Sequence, residues 1–369
     1  MRKLFSVIFF ATVAFAGHAQ TKQFTVIKNN AATPVKNQGH SGTCWCFSST
    51  AMTESELIRL NKPGLDLSEA FTVYNFYIDK AEKYIRRRGT TRFAEGGLGQ
   101  DMLNAVVNYG AMPQEIYPGA GRDTVMNDNY IMAEILKSYL DSVLTANRDT
   151  IPLSWKNGFL QVLRNYLGQP PSVFEYNGKQ YTAKSFAAEY INDKASDFIG
   201  LTSFTHHPFY TSFVMEVPDN YNSNAYYNLS LEEMINVTKQ AIESGYTLTW
   251  DADVSNAGFR QRRGVALWTT NANDSINFPS FTEPSYSPEI RQELFDKQVT
   301  QDDHLMQITG LAKDENGKEY FIVKNSWGEA GPYKGYIYVS IPYFAINTIS
   351  VLVNRNALSK DELDKLAMK

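Results

Sequence analysis

Lys36-Asn37-Gln38-Gly39-His40-Ser41-Gly42-Thr43-Cys44-Trp45-Cys46-Phe47-Ser48 decides how the rest of the chain is read. Its first half holds glycines and small polar residues, the composition of a loop. From Thr43 to Leu60 there is neither Gly nor Pro, and Phe47, Met52, Leu57 and Ile58 fall near helical spacing. A loop therefore feeds a helix, and Cys44 sits in its first turn. Thr43 is the expected N-cap, its hydroxyl accepting from a free N–H one turn in. The positive end of the helix dipole favours a thiolate at this place, as a nucleophile requires. Cys46, two residues on, points elsewhere and reads as a small buried hydrophobe.

Gln38, five residues, Cys44-Trp45 and then Phe47-Ser48 resemble the pattern of the papain family of cysteine peptidases. The resemblance implies an α+β, papain-like two-lobed fold. A helical lobe would carry Cys44, a β-barrel-like lobe a histidine and an asparagine, with the cleft between them. It implies that Gln38 donates its side-chain amide to the developing oxyanion, beside the Cys44 backbone N–H. Exported members commonly carry a disulfide cysteine three residues before the nucleophile; here that residue is Ser41.

The chain has 369 residues and is 43% hydrophobic, enough for a large core. Arg2-Lys3 precede an apolar run from Leu4 to Ala16, and Gly17-His18-Ala19 offers a small-x-small cleavage site. Residues 1–19 therefore read as a signal peptide cleaved near Ala19 or Gln20, and the protein as exported, periplasmic or extracellular. The run is too short to span a bilayer, so no stable membrane anchor is expected. Cleavage removes two of 35 basic residues, leaving 33 against 39 acidic, a net charge of −6. That argues against nucleic acid as a partner.

Thiol chemistry needs a base, and a third group to orient the base. His40 shares the loop of Cys44, a poor geometry for a base. His206-His207 precede Pro208 in a polar stretch without acidic or cysteine company nearby, and read as exposed loop histidines. No metal and no cofactor is expected. His304 opens an alternating strand, and a second strand, Tyr320–Lys324, leads into Asn325-Ser326-Trp327-Gly328. Asn-Ser-Trp-Gly resembles the family's signature for the orienting asparagine. The resemblance makes Cys44, His304, Asn325 and Gln38 the catalytic set, with Trp327 covering the His304–Asn325 bond and Trp45 supporting. Gly96-Gly97 reads by itself as a tight turn; the resemblance makes it the backbone along which an extended peptide substrate pairs, since glycine lets another backbone approach.

His304 and Asn325 follow Cys44 by 260 and 281 residues, where the family pattern has about 130–150. A mostly helical insertion over about 121–217 accounts for the excess. Ile131, Ile135, Leu136 and Leu140 mark one of its helices, and Phe159, Val162, Leu163 and Tyr166 another. Asn177-Gly178 signals a hairpin. The insertion, and the short stretch before Cys44, resemble the bleomycin hydrolase/aminopeptidase C branch. That implies an aminopeptidase forming a thioester acyl-enzyme, and a hexamer. The branch's C-terminal arm, whose carboxylate holds the substrate amine, has no motif match at Leu363–Lys369. An open-cleft endopeptidase or dipeptidase, or a catalytically silent binding protein, are the alternatives.

The hairpin that brings His304 to Asn325 poses a register question. A tight Asn316-Gly317 turn would leave the two side chains far apart along the strand. The expectation is a four-residue loop, Lys313–Asn316, pairing Ala312 with Gly317 and setting His304 opposite Asn325, with a one-residue bulge allowed.

Overall fold

The computed structural model describes residues 23–62, 64–119, 129–191, 195–271, 274 and 276–368. The expected signal peptide lies outside them. The fold is α+β on an 11-stranded sheet: one group of helices shares a core with Leu305 and Leu352, and the helices Leu231–Glu243 and Ile341–Asn347 share another with Met306, Trp250 and Val351.

Helix α1 (Cys44–Arg59) is the spine between the two halves. It is buried along almost its whole length, polar residues included. That is tolerable because its hydroxyls and carbonyls are bonded across to the sheet. Ser48 Oγ donates to Met306 O at 2.6 Å, and Gln307 Nε2 donates to Ala51 O at 3.0 Å and Ser55 Oγ at 2.8 Å. Helix α2 (Glu69–Arg86) starts at Ser68, whose hydroxyl accepts from Phe71 N–H. Helix α3 (Gly99–Tyr109) follows the Gly96-Gly97 loop.

Within the expected insertion, α4 (Asn129–Ala146) and α5 (Trp155–Leu167) join the helical lobe's own core rather than forming a separate one. Met132, Leu136 and Leu140 of α4, and Phe159 and Leu163 of α5, share that core with Tyr84 and Phe93. Ile131 and Ile135, expected inside, are 46% and 41% exposed. The inward stripe of α4 runs one residue later, because Met132 supplies its first position. Asn177 and Gly178 have φ of +49° and +76° and join strands Phe174–Tyr176 and Lys179–Tyr181, as the hairpin signal requires. Phe198–Thr202 and Ser212–Val214, also within 121–217, are strands of the main sheet.

The central strands of the sheet are Thr348–Asn354, Leu248–Ala252, His304–Asp314, Glu319–Lys324 and Tyr336–Ser340, in that spatial order. The hairpin takes neither register weighed from sequence. Lys313 pairs with Glu319, and Gly317 N–H donates to Asp314 O at 3.1 Å, with Gly317 at φ +79°. The loop is the three residues Glu315–Gly317, a type I turn followed by a left-handed glycine. Asp314 selects it: its Oδ1 accepts from the N–H of both Asn316 and Lys318 at 2.9 Å. A bulge at Thr309 then shifts the pairing by one, to Gln307 opposite Lys324. Continued, that register sets His304 opposite Trp327 and not Asn325.

Candidate active site

Cys44 is the first residue of α1 and is buried. Thr43 precedes it but does not cap: its hydroxyl pairs with Ser41 Oγ at 2.6 Å and makes no bond to the helix. Ser41 Oγ also bonds to Gln38 O at 2.7 Å, so the loop before the cysteine is tied by hydroxyls. The backbone N–H groups of Leu305 and Trp45 lie near the Cys44 thiol and favour its thiolate form. Cys46 is free and buried, its Sγ 3.7 Å from Glu69 O.

His304 stands at the start of its strand, one residue before the Leu305 N–H that reaches the thiol. Its Nε2 lies 2.7 Å from Asn325 Oδ1. The Asn325 amide is held in one orientation, because Nδ2 donates to Gln261 Oε1 at 3.0 Å and Oδ1 accepts from Ser326 N–H at 2.7 Å. The oxygen therefore faces the ring, His304 carries its proton on Nε2, and Nδ1 keeps a lone pair. Trp327 stacks on the imidazole at 4.7 Å between centroids and 29° between planes. This is the cross-strand partner that the register assigns. Asn325, having left the strand with its N–H on Gly335 O, sends its side chain back to the same ring. The expected juxtaposition is present without direct opposition of the two residues.

The two signature loops are zipped together. Gln38 N–H donates to Ser326 O at 2.8 Å, Gly328 N–H to Lys36 O at 3.1 Å, and Asn37 bridges to Trp327. Gln38 Oε1 accepts from Ser326 Oγ, and its Nε2 gives one hydrogen to Ser41 O at 2.6 Å. The second hydrogen of that amide remains for an oxyanion. Lys36 pins the loop from below, its Nζ 2.7 Å from Glu69 and Asp66 and 3.4 Å from Glu54.

Burial works against both charges of a thiolate–imidazolium pair. It pushes the Cys44 thiol up to about 12 and the His304 imidazole down to about 4, the latter against the pull of Asn325. Burial by itself thus favours a thiol and a neutral imidazole, where the helix start alone would favour thiolate. Moving one proton from sulfur to Nδ1 creates both charges at once, each the counter-ion of the other.

Gly96 and Gly97 lie across a cavity of about 240 Å³ from Cys44. Trp45, fully buried, fixes them there: its Nε1 donates to Glu95 O at 3.1 Å. Lys80 donates to Ala94 O from beneath the same loop. Gly97 has no room for a side chain, since a Cβ would meet the Phe76 ring at 2.9 Å.

Three residues that sequence reasoning did not single out shape this region: Gln261, which orients Asn325, and the carboxylates Asp219 and Asp302 in the cavity wall. None follows from spacing to Cys44. His206 and His207 do have acidic company, contrary to the reading from local sequence: both Nε2 atoms lie within 3.0 Å of the Glu216 carboxylate. Gln292 Nε2 contacts His206 Nδ1 at 2.9 Å, and Gln292 is itself oriented by Thr205 N–H on its Oε1. His206 therefore carries its proton on Nε2, toward Glu216, which is the wrong tautomer for a metal ligand at that nitrogen.

Comparison with known proteins agrees with this geometry. The model of the peptidase C1-like family matches residues 90–369, and that of papain family cysteine proteases matches residues 20–134. The chain belongs to the peptidase C1-like family. It is similar to aminopeptidase C of Streptococcus thermophilus, at 25% identity over 89% of this chain and 82% of that protein. Aminopeptidase C of Lactococcus lactis subsp. cremoris is 24% identical over the same shares. Among solved structures, PepW of Lactobacillus rhamnosis HN001 superposes with a TM-score of 0.73 at 19% identity, covering 93% of this chain and 84% of that one. The papain-like fold of this peptidase C1-like chain thus extends through α4 and α5.

Proposed function

We propose that the protein is a cysteine peptidase acting on the amino end of peptides, with Cys44 as nucleophile and His304 as base. The observation that carries this is the oriented series Gln261–Asn325–His304, which leaves His304 Nδ1 unprotonated beside the strand that touches the Cys44 thiol. The thiol gives its proton to Nδ1 as sulfur attacks the substrate carbonyl. The oxyanion takes hydrogen bonds from the Cys44 N–H and the free Gln38 amide hydrogen. The imidazolium returns the proton to the leaving amine, and a thioester remains on Cys44. Water, deprotonated by the same imidazole, then releases the acid. Asn325 holds the ring in register throughout, and Trp327 shields their bond. Gly96 and Gly97 offer backbone to the peptide.

The amino-end preference is supported by relatives named aminopeptidase C. In a peptide digest, residues should leave one after another from the amino terminus. Cys44→Ser should lower turnover on the order of 10⁴–10⁶-fold, whereas Cys46→Ala should keep most of it. Comparable loss from both variants, both folded, would remove Cys44 from its role. Export belongs to the same proposal and rests on Arg2-Lys3 and the apolar run after them. Sequencing the amino terminus of protein recovered outside the cytoplasm should read from near Gln20. Assembly as a homo-oligomer rests on the resemblance alone, and a light-scattering mass tests it.

A further inference from the structure

The cavity that opens on Cys44 has an acidic wall. Among the described residues its charged lining is Arg92, Glu95, Glu134, Asp219, Asp302 and Asp303, five carboxyl groups against one guanidinium. The guanidinium is already committed: Arg92 Nε lies 3.1 Å from Asp219 Oδ1, an ion-pair distance that still leaves this oxygen without an aligned hydrogen bond.

An acidic lining alone says nothing about a ligand. The second observation lies behind Asp302. Asp251, on strand Leu248–Ala252, is 1% exposed, and among the described residues its Oδ1 and Asp302 Oδ2 have no donor beyond the hydrogen bond that the two carboxyl groups share. The two carboxyl groups face one another, with Ser350 Oγ 3.4 Å from Asp251 Oδ2. Two carboxylates in one dry site cannot both stay ionised. Burial, then the charge of Asp302, pushes Asp251 well above the carboxylate range, and burial with Asp219 pushes Asp302 up to about 7. The pair therefore holds a proton on the buried Asp251, and the charge that remains sits on Asp302, which lines the cavity.

The shape says what kind of cation fits. The cavity, at about 240 Å³, falls below the ~300–1,000 Å³ of pockets that enclose a drug-sized ligand. Asp219 lies directly over Gly96: a Cβ there would come within 1.8 Å of Asp219 Oδ2. A peptide paired along Gly96 and Gly97 cannot run on past that carboxylate, but it can end there. Among the described residues, the C-terminal segment does not reach the place. Residues 359–368 pack on the helix Leu231–Glu243 through Leu363, Leu366 and Met368, and no described residue beyond Leu305 lines the cavity.

We propose that Asp302 and Asp219 receive the α-ammonium group of the peptide substrate, so that this wall confines the peptidase to amino ends. This rests on the cysteine-peptidase reading above. The test uses aminomethylcoumarin amides of alanine and leucine, each with a free or an acetylated amine, and acetyl-arginine aminomethylcoumarin. The wild type should prefer the free amines. Asp302→Asn and Asp219→Asn should each lower the unblocked-to-acetylated ratio of kcat/KM, on the order of 10–100-fold. Asn keeps the size and the hydrogen-bonding edge of Asp, and an unchanged circular-dichroism spectrum checks that each variant is folded. An unchanged ratio in both variants would overturn the proposal. So would a selective loss of acetyl-arginine cleavage, which would make the wall a pocket for basic side chains. If the wild type cleaves no peptide or amide at all, the peptidase reading itself has failed; if it cleaves acetylated and free substrates equally, only the amine site has.

Discussion

Two carboxyl clusters border the signature loops, and they differ in whether they enclose a counter-ion. Around Lys36, Glu54 and Glu69 are buried and Asp66 is exposed, all within 3.4 Å of one ammonium. Burial alone would lower the Lys36 ammonium; Glu69, Glu54 and Asp66 overcome it and hold it above the usual lysine range. Around Asp302, the carboxyls of Asp251 and Asp219 close in with no ion-pair partner on Asp302 among the described residues: Arg92, on Asp219, is half exposed, and the buried Lys80 ammonium acts on Asp219 from beneath the Gly96 loop. The same residue types thus do opposite things. A buried acid cluster with a resident cation is a clamp, here on the loop that carries Gln38. One without a cation, at a cavity wall beside a thiol, is destabilised on its own and waits for charge from outside.

The comparison breaks most visibly at Lys36. Lys36→Met should cost about 3–5 kcal/mol of stability, because it leaves Glu54 and Glu69 buried without a partner. Urea unfolding at pH 8 measures it, and a loss below about 1 kcal/mol would mean the clamp does not depend on its cation. The loss should shrink toward pH 6, since burial already pushes Glu69 up to about 7 with Lys36 present.

At the other cluster the sign should reverse. Asp302→Asn should raise stability on the order of 1 kcal/mol at pH 8, while lowering activity on free amines. The folded state raises the Asp302 pKa from 3.8 to about 7. It therefore holds a proton there that the unfolded chain has released. The stability this group contributes is full below about 4 and is lost as pH rises through about 7. The gain from Asp302→Asn should accordingly grow between pH 4 and 8. A loss like that of Lys36→Met would make the two clusters equivalent.

The smallest effect is in the pH profile of kcat/KM. With acetylated substrates, activity should hold from pH 7 to pH 5, because burial keeps His304 neutral, and able to accept a proton, down to about 4. Half-loss near the free-imidazole value of about 6.5 would show a solvated ring. Free-amine substrates should show a further acid limb near 7, where Asp302 takes its proton and stops attracting an ammonium.

The candidate catalytic set was visible in sequence because its members sit in two contiguous motifs, Gln38 to Ser48 and Asn325 to Gly328, with His304 opening a strand. The acid wall could not. Its residues come from the Glu95 loop, the Asp219 loop and the approach to His304, and only the folded chain brings them together. Register was the other miss. It was set by the Asp314 side chain choosing a three-residue loop and by a bulge at Thr309, and neither leaves a periodic trace. Two bonded side chains must face each other across the ladder only while both residues stay in it. Asn325 has left its strand, so that rule does not bind it. On α4 the apolar pattern carried two adjacent stripes, and only packing against Tyr84 and Phe93 could choose between them.

Ser41 stands where exported papain-like chains commonly have half of a cystine, and hydroxyl bonds to Gln38 O and Thr43 now hold the loop. In a loop stapled by a cystine, a reductant that keeps a neighbouring thiol from sulfenic acid also threatens the staple. Here the two requirements are uncoupled. Cys44 and Cys46 are both free, so strong thiol reductants can reverse oxidation of the active sulfur and find no disulfide to loosen in the loop that presents it.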